Sequence, residues 1–361
     1  MKTIISQISK LFFFSILCFS LLSCSDKDEK KDIIEPEIEI SLTEKMIFII
    51  TTATDGTSIK LPITGTVNCK ITWDSGSLDD FETITESYPT HTYTKKGDHL
   101  ILISGTVTEL NSNELNESEL SCISGIYNFG KTGLTNLYCA FKGCTKLTYL
   151  SNYYPDSFSD VISFENSFSE CPLTIIPSDF FKSCTLATSF KNTFTNCINL
   201  AEIPSGLFDN CTQSTSFEST FSGCTSLTDI PFGLFDNCSS AISFTNTFKD
   251  CSNLEEIPLE LFENCTQASN FMSTFQNCKK LIGIPSGLFS NCTQINNLML
   301  TFAGCKNLTG ESPYAEIEGK KIHLYERNGN IGGFIKPEYI YSCFSECIGL
   351  SDFSNLPNEW K

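Results

Sequence analysis

The chain has 361 residues, 42 of them acidic and 24 of them lysine or arginine, and its formal net charge is −18. A chain this acidic repels nucleic acid and anionic lipid, and no basic run offsets the charge. The composition therefore excludes nucleic acid as a partner, and the length allows two domains.

The N-terminal residues have the layout of a secretory signal. Lys2 and Lys10 precede residues 11–22, which are almost wholly apolar but too few to span a bilayer. The run ends in Leu-Leu-Ser-Cys at Cys24, which resembles the bacterial lipobox. The resemblance implies a signal peptide at residues 1–23 and a diacylglycerol on the thiol of Cys24. The alternative is an ordinary signal peptide with an incidental cysteine.

A charged tether is predicted at residues 24–35. Residues 25–32 read Ser-Asp-Lys-Asp-Glu-Lys-Lys-Asp, and a run without apolar side chains stays solvated. It is similar to the acidic export signal of Bacteroidota lipoproteins, which implies a place on the outer face of the outer membrane. No later apolar run is long enough to cross a membrane, so the lipid is the expected anchor.

Residues 36–110 are predicted to form a small β domain. Short alternating stretches indicate strands. The segments Trp73 to Gly76, Thr90 to Tyr93 and Lys96 to His99 resemble the Trp-Gly-Asp-Gly and His-x-Tyr signatures of PKD-like β-sandwiches, which implies a spacer. Residues 111–125 are expected to join this domain to the rest of the chain or to cap that part.

A repeat governs the chain from Phe141 onward. Phe-x-x-Cys recurs at steps of 26 or 27 residues, and in most units a second cysteine follows the first by 13 or 14 residues. A unit of this length cannot bury its apolar positions alone, so neighbouring units must stack. The pairs are Phe141/Cys144, Phe168/Cys171, Phe194/Cys197, Phe221/Cys224, Phe248/Cys251, Phe275/Cys278 and Phe302/Cys305.

Each unit divides into segments with different roles. Leu-x-x-Ile-Pro predicts a short strand that the proline ends, and the segment after the proline predicts one helical turn. Ser-Phe-x-x-Thr-Phe begins the other side of the unit. Because stacked units place phenylalanine in three columns, we predict an aromatic spine rather than a site for an aromatic ligand.

The unit resembles the BspA-like leucine-rich repeats of bacterial surface proteins, in the variant shared with mycoplasma-type lipoprotein repeats. The match covers about residues 134–310. It implies a mainly β fold, in which a right-handed leucine-rich-repeat-like solenoid of ~27-residue coils spans residues 111–361. The expected function is adhesion or recognition of a protein by a monomer at the cell surface. The alternative is glycan capture for nutrient uptake.

The cysteines follow the repeat and occupy apolar positions in register with phenylalanine and leucine. Stacked positions lie about 4.8 Å apart, beyond the usual Cβ separation in a disulfide, so we expect a reduced interior ladder. Disulfides among Cys122, Cys139, Cys343 and Cys347, which lie off the regular ladder, are the alternative. The predicted core ladder comprises Cys171, Cys184, Cys197, Cys211, Cys224, Cys238, Cys251, Cys265, Cys278, Cys292 and Cys305 with Phe194, Phe221, Phe248 and Phe275.

No metal site, cofactor or enzyme activity is predicted. No Cys-x-x-Cys pair or nearby histidine supports zinc, and acidic residues that recur in register are expected to be solvated rather than to share calcium. His91 and His99 fall within the β-sandwich signatures. A Cys343/His323 dyad is conceivable, but core and turn positions explain both residues.

The repeat is interrupted at about residues 311–341, since the next Phe-x-x-Cys arrives 42 residues on. Residues 320–326 alternate, and residues 328–333 supply turn residues, which predicts a hairpin. This insertion is either a recognition element or a cap on the core, which Trp360 also covers. The candidate partner-binding residues are His323, Tyr325, Arg327, Tyr314, Tyr339 and Tyr341.

Overall fold

The computed structural model describes residues 42–73, 80–329 and 332–361. The predicted signal segment, Cys24 and the predicted charged tether lie outside the described residues. The described chain is mainly β with very little helix, which confirms the predicted class at that level. None of its helices has the length and apolarity needed to cross a bilayer.

The regular elements are short. The strands are β1 (Met46–Thr52), β2 (Thr57–Lys60), β3 (Ile63–Trp73), β4 (Glu82–Ile84), β5 (Thr90–Tyr93), β6 (Gly97–Leu110), β7 (Ile123–Asn128), β8 (Tyr149–Leu150), β9 (Tyr314–Ile317) and β10 (Lys320–His323). Helix α1 spans Glu117–Leu120, and 3₁₀ helices span Leu324–Glu326, Phe353–Asn355 and Asn358–Trp360.

The first strands form two sheets of unequal size. Six strands pair in the order β4-β3-β6-β1-β7-β8, and β2 pairs with β5. Aromatic rings join the two sheets. Trp73 of β3 stacks on His91 of β5 with ring centroids 4.8 Å apart, and Tyr93 of β5 stacks on His99 of β6 at 3.7 Å. Both histidines therefore take part in packing between the sheets.

The larger sheet continues past the predicted domain boundary at residue 110. β7 pairs with β1 on one side, and on the other side it pairs in parallel with β8, which already belongs to the repeats. At the end of β6, Glu109 forms a parallel bridge with Asn136. A single hydrophobic core runs from the first strands into the repeats, so these strands also cover the N-terminal end of the repeat core.

Successive repeats are joined in parallel by one bridge each. The bridging residue lies eight positions before the first cysteine of its unit, and the next residue donates its N–H to the following repeat, as Phe217 does to Ser243 O at 3.0 Å. The bridged residues are Asn136, Ser163, Ser189, Ser216, Ser243, Asn270, Asn297 and Tyr339.

Three columns of stacked phenylalanine fill the interior of the repeats. Phe221 lies between Phe194 and Phe248, with ring centroids 5.7 Å from each. Rings of different columns meet edge to face, as Phe208 and Phe217 do at 5.0 Å. Each buried ring stabilises the fold by roughly 2 kcal/mol. The columns are Phe141, Phe168, Phe194, Phe221, Phe248, Phe275, Phe302 and Phe344; Phe164, Phe190, Phe217, Phe244 and Phe271; and Phe181, Phe208, Phe235, Phe262 and Phe289.

Buried hydroxyl and thiol groups tie each repeat to the one before it. Thr220 Oγ1 lies 2.9 Å from the carbonyl oxygen of Phe190, and Cys224 Sγ donates to the carbonyl oxygen of Phe194 at 3.2 Å. The thiol bond recurs along the chain. Its donors are Cys171, Cys197, Cys224, Cys251, Cys278, Cys305 and Cys347.

Two positions of every repeat have left-handed backbone, and the sequence analysis missed both. They lie five residues and one residue before the first cysteine, as Ser219 (φ 54°) and Gly223 (φ 74°) do. Gly, Asn and Asp, which tolerate positive φ better than other residues, fill most of these positions, and Ser fills several others. Leu300 (φ 60°) is an exception.

The strand predicted at Leu-x-x-Ile-Pro is wrong for the regular repeats. At most one backbone bond joins these segments in adjacent regular repeats, for example from Glu255 N–H to Thr228 O at 3.0 Å. Only the first repeat, which contains β8, keeps a strand at this position. The proline that follows has no N–H, and the segment before it is too short to build a ladder.

The insertion contains the hairpin of β9 and β10, but its turn does not lie at residues 328–333 as predicted. Glu318 and Gly319 form the turn, with φ of 51° and 76°. A two-residue hairpin loop of this type needs positive φ at both positions, which glycine adopts without strain.

The repeat resumes after the insertion and then ends at an indole ring. Phe344 stacks on Phe302 with ring centroids 5.5 Å apart, although 42 residues separate them in sequence. Trp360 stacks on the other side of Phe344 at 6.1 Å and is 3% exposed. This indole therefore covers the C-terminal end of the phenylalanine column.

Candidate functional site

Two of the six candidate residues form an exposed aromatic pair. Tyr339 and Tyr341 are 55% and 71% exposed and lie on the segment that continues the parallel bridges. Two residues apart in extended chain, they project from the same side. Their carbonyl oxygens accept from Leu298 N–H at 2.7 Å and from Leu300 N–H at 3.0 Å, which fixes the backbone beneath the rings.

The neighbouring repeats extend this pair into a surface. Met299 and Met272 occupy the position of Tyr341 in the two preceding repeats, and both are half-buried. In some earlier repeats the Tyr341 position is charged instead, and Lys191 pairs there with Glu218 at 3.2 Å. We call Tyr339, Tyr341, Met299 and Met272 the tyrosine surface. Aromatic rings beside flexible thioethers are typical of surfaces that bind other proteins.

Arg327 lies inside the protein. Its side-chain nitrogens Nη1 and Nη2 donate to the carbonyl oxygens of Cys292 at 3.2 Å and Phe289 at 2.9 Å, and the guanidinium lies 3.7 Å from the centre of the Phe334 ring. Burial lowers the pKa of Arg327 to about 10. The partner-binding role predicted for Arg327 does not fit this burial, because the side chain fastens the insertion to the last regular repeat.

The other three candidates form a ring cluster at the end of the core. His323 stacks on Tyr325 with ring centroids 5.1 Å apart and meets Tyr314 edge to face at 5.4 Å. Tyr325 in turn contacts Trp360 at 6.4 Å. The three rings are half-buried, so this part of the insertion packs as a cap.

Ser312, His323 and Asp352 lie together, but their order differs from that of a hydrolytic triad. Ser312 Oγ donates to Asp352 Oδ2 at 2.5 Å and lies 3.0 Å from His323 Nδ1. In a triad the histidine stands between the serine and the carboxylate and removes the hydroxyl proton. Here the carboxylate accepts directly from a fully buried serine, so the cluster presents no accessible nucleophile.

The thiols form no reactive site either. All seventeen cysteines within the described residues are free and buried, including Cys122, Cys139, Cys343 and Cys347. Burial raises the pKa of ladder thiols such as Cys197, to about 12. Because the thiolate is the nucleophile, these cysteines are inert at neutral pH.

The described residues hold no metal-binding cluster, but they expose several large apolar side chains. No group of three or more His, Cys, Asp or Glu is placed to hold a metal ion. Large apolar side chains, however, are exposed at Phe232, Leu259 and Ile282, and the sequence analysis missed them. A signal was present, because Ser205 and Ser286 occupy the position of Phe232 and Leu259 in sister repeats.

Comparisons with known proteins give little. No family model matches the chain, and neither does any curated protein. Among solved structures, a chain from the crystal structure of the TLR13–ssRNA13 complex is similar over 58% of this chain and 46% of that one, so this chain spans about half its length. The identity is 13% and the TM-score is 0.12, a likeness too weak to bear on fold or function.

Proposed function

We propose that this protein is a non-catalytic recognition protein of the bacterial cell surface, which binds another protein through its repeats. In this proposal the stacked repeats form a right-handed leucine-rich-repeat-like solenoid of the BspA-like kind, behind a PKD-like β-sandwich. A lipid on Cys24 holds the monomer in the outer membrane. The described residues contribute a rigid scaffold with an inert interior, which suits binding better than chemistry.

The tyrosine surface is the observation that carries the proposal. Tyr339 and Tyr341 expose more than half of each side chain, although the repeat needs no aromatic ring there. Sister repeats hold Asn297 and Asn270 at the position of Tyr339. Tyrosine offers a large contact area at a small cost in side-chain entropy, and it recurs among the residues that dominate protein interfaces.

The same two rings favour a second candidate, glycan capture. Aromatic side chains two residues apart on a fixed backbone could act as a platform for sugar rings, which stack on aromatic faces through their apolar side. The two candidates differ in what they require of the target, so protease treatment of the target cells and a glycan array distinguish them.

The first test replaces both tyrosines with residues of sister repeats, Tyr339→Asn and Tyr341→Thr. Because Asn297 and Thr245 already occupy these positions, the variant should fold as the parent does. We expect its binding to target cells to fall at least about tenfold, as loss of two interface tyrosines predicts. Binding is measured by flow cytometry with the fluorescently labelled protein.

Treatment of the target cells separates the candidates. If the partner is a protein, protease treatment abolishes binding and a glycan array stays negative. Binding that resists protease, with array signals that disappear in the double variant, would establish glycan capture instead. Unchanged binding by the variant in both assays would contradict a role for the tyrosine surface. Ile198→Thr, an exposed change that reproduces sister Thr225, serves as the control.

A separate prediction concerns the anchor. Cys24→Ala removes the thiol that the lipobox resemblance assigns to the lipid, so the mature protein should be released from membranes or its precursor should accumulate. Membrane fractionation with metabolic labelling by a fatty acid measures both outcomes. A processed, membrane-bound and unlabelled Cys24→Ala protein would show that another feature anchors the chain.

A further inference from the structure

The Leu-x-x-Ile-Pro side of the repeats carries exposed apolar side chains that the fold does not need. Phe232 is 77% exposed, Leu259 55% and Ile282 54%. Phe232 and Leu259 occupy the same position of adjacent repeats, where sister repeats have serine. The Ile282 position is glutamate in the preceding repeat and threonine or alanine in the three repeats before that. Large exposed apolar groups that adjoin one another on a regular array are typical of interaction sites.

A shallow groove of about 290 Å³ lies between two of these repeats. Its lining includes the apolar side chains of Ile257, Ile282 and Ile284 and the acidic residues Glu255 and Glu256. The groove is open because Gly283 has no side chain, whereas the preceding repeats have Glu256, Asp229 and Glu202 at the same position. A Cβ at Gly283 would meet no atom within 4 Å, so packing does not require the glycine.

The repeats are strongly acidic, and one column of acidic residues lies on the same side as these apolar groups. Residues 201–300 contain ten Asp or Glu and three Lys. Glu202, Asp229 and Glu256 stand in register and form no ion pair within the described part of the chain. Glu255 pairs with Lys280 at 3.7 Å, but both side chains are more than half exposed, so the pair contributes little. Like charges one repeat apart repel each other, and a bound cationic group would relieve that repulsion.

We propose that this acid-edged face, formed by Phe232, Leu259, Ile282, Glu202, Asp229 and Glu256, docks an extended polypeptide segment in which lysine or arginine alternates with aliphatic residues. The aliphatic side chains contact the three exposed apolar residues and the groove at Gly283. The basic side chains reach the carboxylates. Alternation suits both, because an extended segment that lies edge-on over the face sends successive side chains to opposite sides of its own axis. This docking site is separate from the tyrosine surface and does not depend on it.

The test uses the full protein and a fluorescein-labelled peptide of about ten residues in which lysine and valine alternate, long enough to cross several repeats. Fluorescence anisotropy measures the affinity. Two comparison peptides replace either every lysine with glutamate or every valine with serine. We expect both comparison peptides to bind at least roughly tenfold more weakly, because one lacks the charge and the other lacks the apolar contacts. Equal binding of the lysine–serine peptide would mean simple polyelectrolyte attraction and would overturn the proposal.

Variants locate the site. Phe232→Ser with Leu259→Ser reproduces sister repeats and should weaken peptide binding at least about tenfold without loss of folding. Gly283→Gln fills the groove and should have a similar effect. Glu202→Gln, Asp229→Asn and Glu256→Gln together should weaken binding and reduce its salt dependence.

Two control variants complete the design. Ile198→Thr and the double variant Tyr339→Asn/Tyr341→Thr should bind the peptide as the parent does. Full retention of affinity in the Phe232/Leu259 variant, or equal loss in the controls, would overturn the proposal. Peptide binding tests this docking site, whereas binding of the tyrosine variant to cells tests the proposed function. Failure of one proposal is therefore distinguishable from failure of the other.

Discussion

The repeats are expected to unfold over a narrow interval as the pH rises from about 8 to about 10, in the presence of a reductant. Eleven ladder thiols from Cys144 to Cys292 are buried, and burial raises the pKa of each one; that of Cys292 rises to about 12. In the unfolded chain the same thiols have a pKa of about 8.5. Ionisation therefore favours the unfolded chain.

The sign of the effect follows from the direction of these shifts. Because the pKa is higher in the folded state, the stability that each thiol contributes is fully present below about pH 8.5 and is lost as the pH rises toward the folded pKa. Each thiol costs about 1.4 kcal/mol per pH unit above that point. Eleven thiols together remove on the order of 20 kcal/mol by about pH 10, which exceeds the whole stability of a typical domain.

Urea denaturation at a series of pH values measures this loss of stability. The number of protons released on unfolding in weak buffer gives the number of thiols that ionise when the repeats unfold. The triple variant Cys211→Ala/Cys238→Ala/Cys265→Ala serves as the control. It lacks three of the eleven ionising thiols, so its free energy of unfolding should depend proportionately less on pH. Stability that stays constant up to about pH 10 would contradict the buried, reduced ladder. A thiol titre near zero in denaturant before reduction would identify disulfides as the reason.

The phenylalanine and cysteine positions could be predicted because they recur at a nearly constant spacing. When the repeats stack, residues at that spacing lie above one another and form columns. The left-handed positions could have been predicted too. Positions such as Asn192, Ser219 and Asn246 precede their cysteines by the same five residues, but their polar character hid a backbone requirement. The prediction of a strand at Leu-x-x-Ile-Pro was wrong because the spacing of apolar residues shows only which side chains are buried. It does not show how many backbone N–H groups pair with the next repeat.

The candidate site was harder to predict. Arg327 lies within two residues of Tyr325 in sequence and was grouped with it, yet it turns inward to the carbonyl groups of Cys292 and Phe289. Nothing local to Arg327 specifies those acceptors, which come from a repeat about 35 residues earlier. Exposed residues such as Phe232 were missed for the opposite reason. The sequence analysis considered only the phenylalanines that recur in register, and Phe232 does not recur, because its position is serine in the preceding repeat.

The second large effect is expected at the centre of the aromatic column. Phe221→Ala should lower the free energy of unfolding by roughly 3 to 5 kcal/mol. Phe221 is fully buried, and its ring centroid lies 5.7 Å from those of Phe194 and Phe248. The substitution leaves a cavity between three repeats that the neighbouring rings cannot fill, because each is stacked on a further ring. Loss of apolar burial and loss of ring contacts add in the same direction.

Phe232→Ala is the matched control, since it makes the same chemical change in the same repeat at a side chain that is 77% exposed. Its effect on the free energy of unfolding should stay within about 0.5 kcal/mol, because little apolar area leaves water there on folding. Urea denaturation of both variants measures the difference. Equal losses would mean that phenylalanine stabilises the repeats through backbone propensity rather than through the column. A loss below about 1 kcal/mol for Phe221→Ala would mean that adjacent repeats close over the cavity, and the stack would then be far more plastic than its ring spacing indicates.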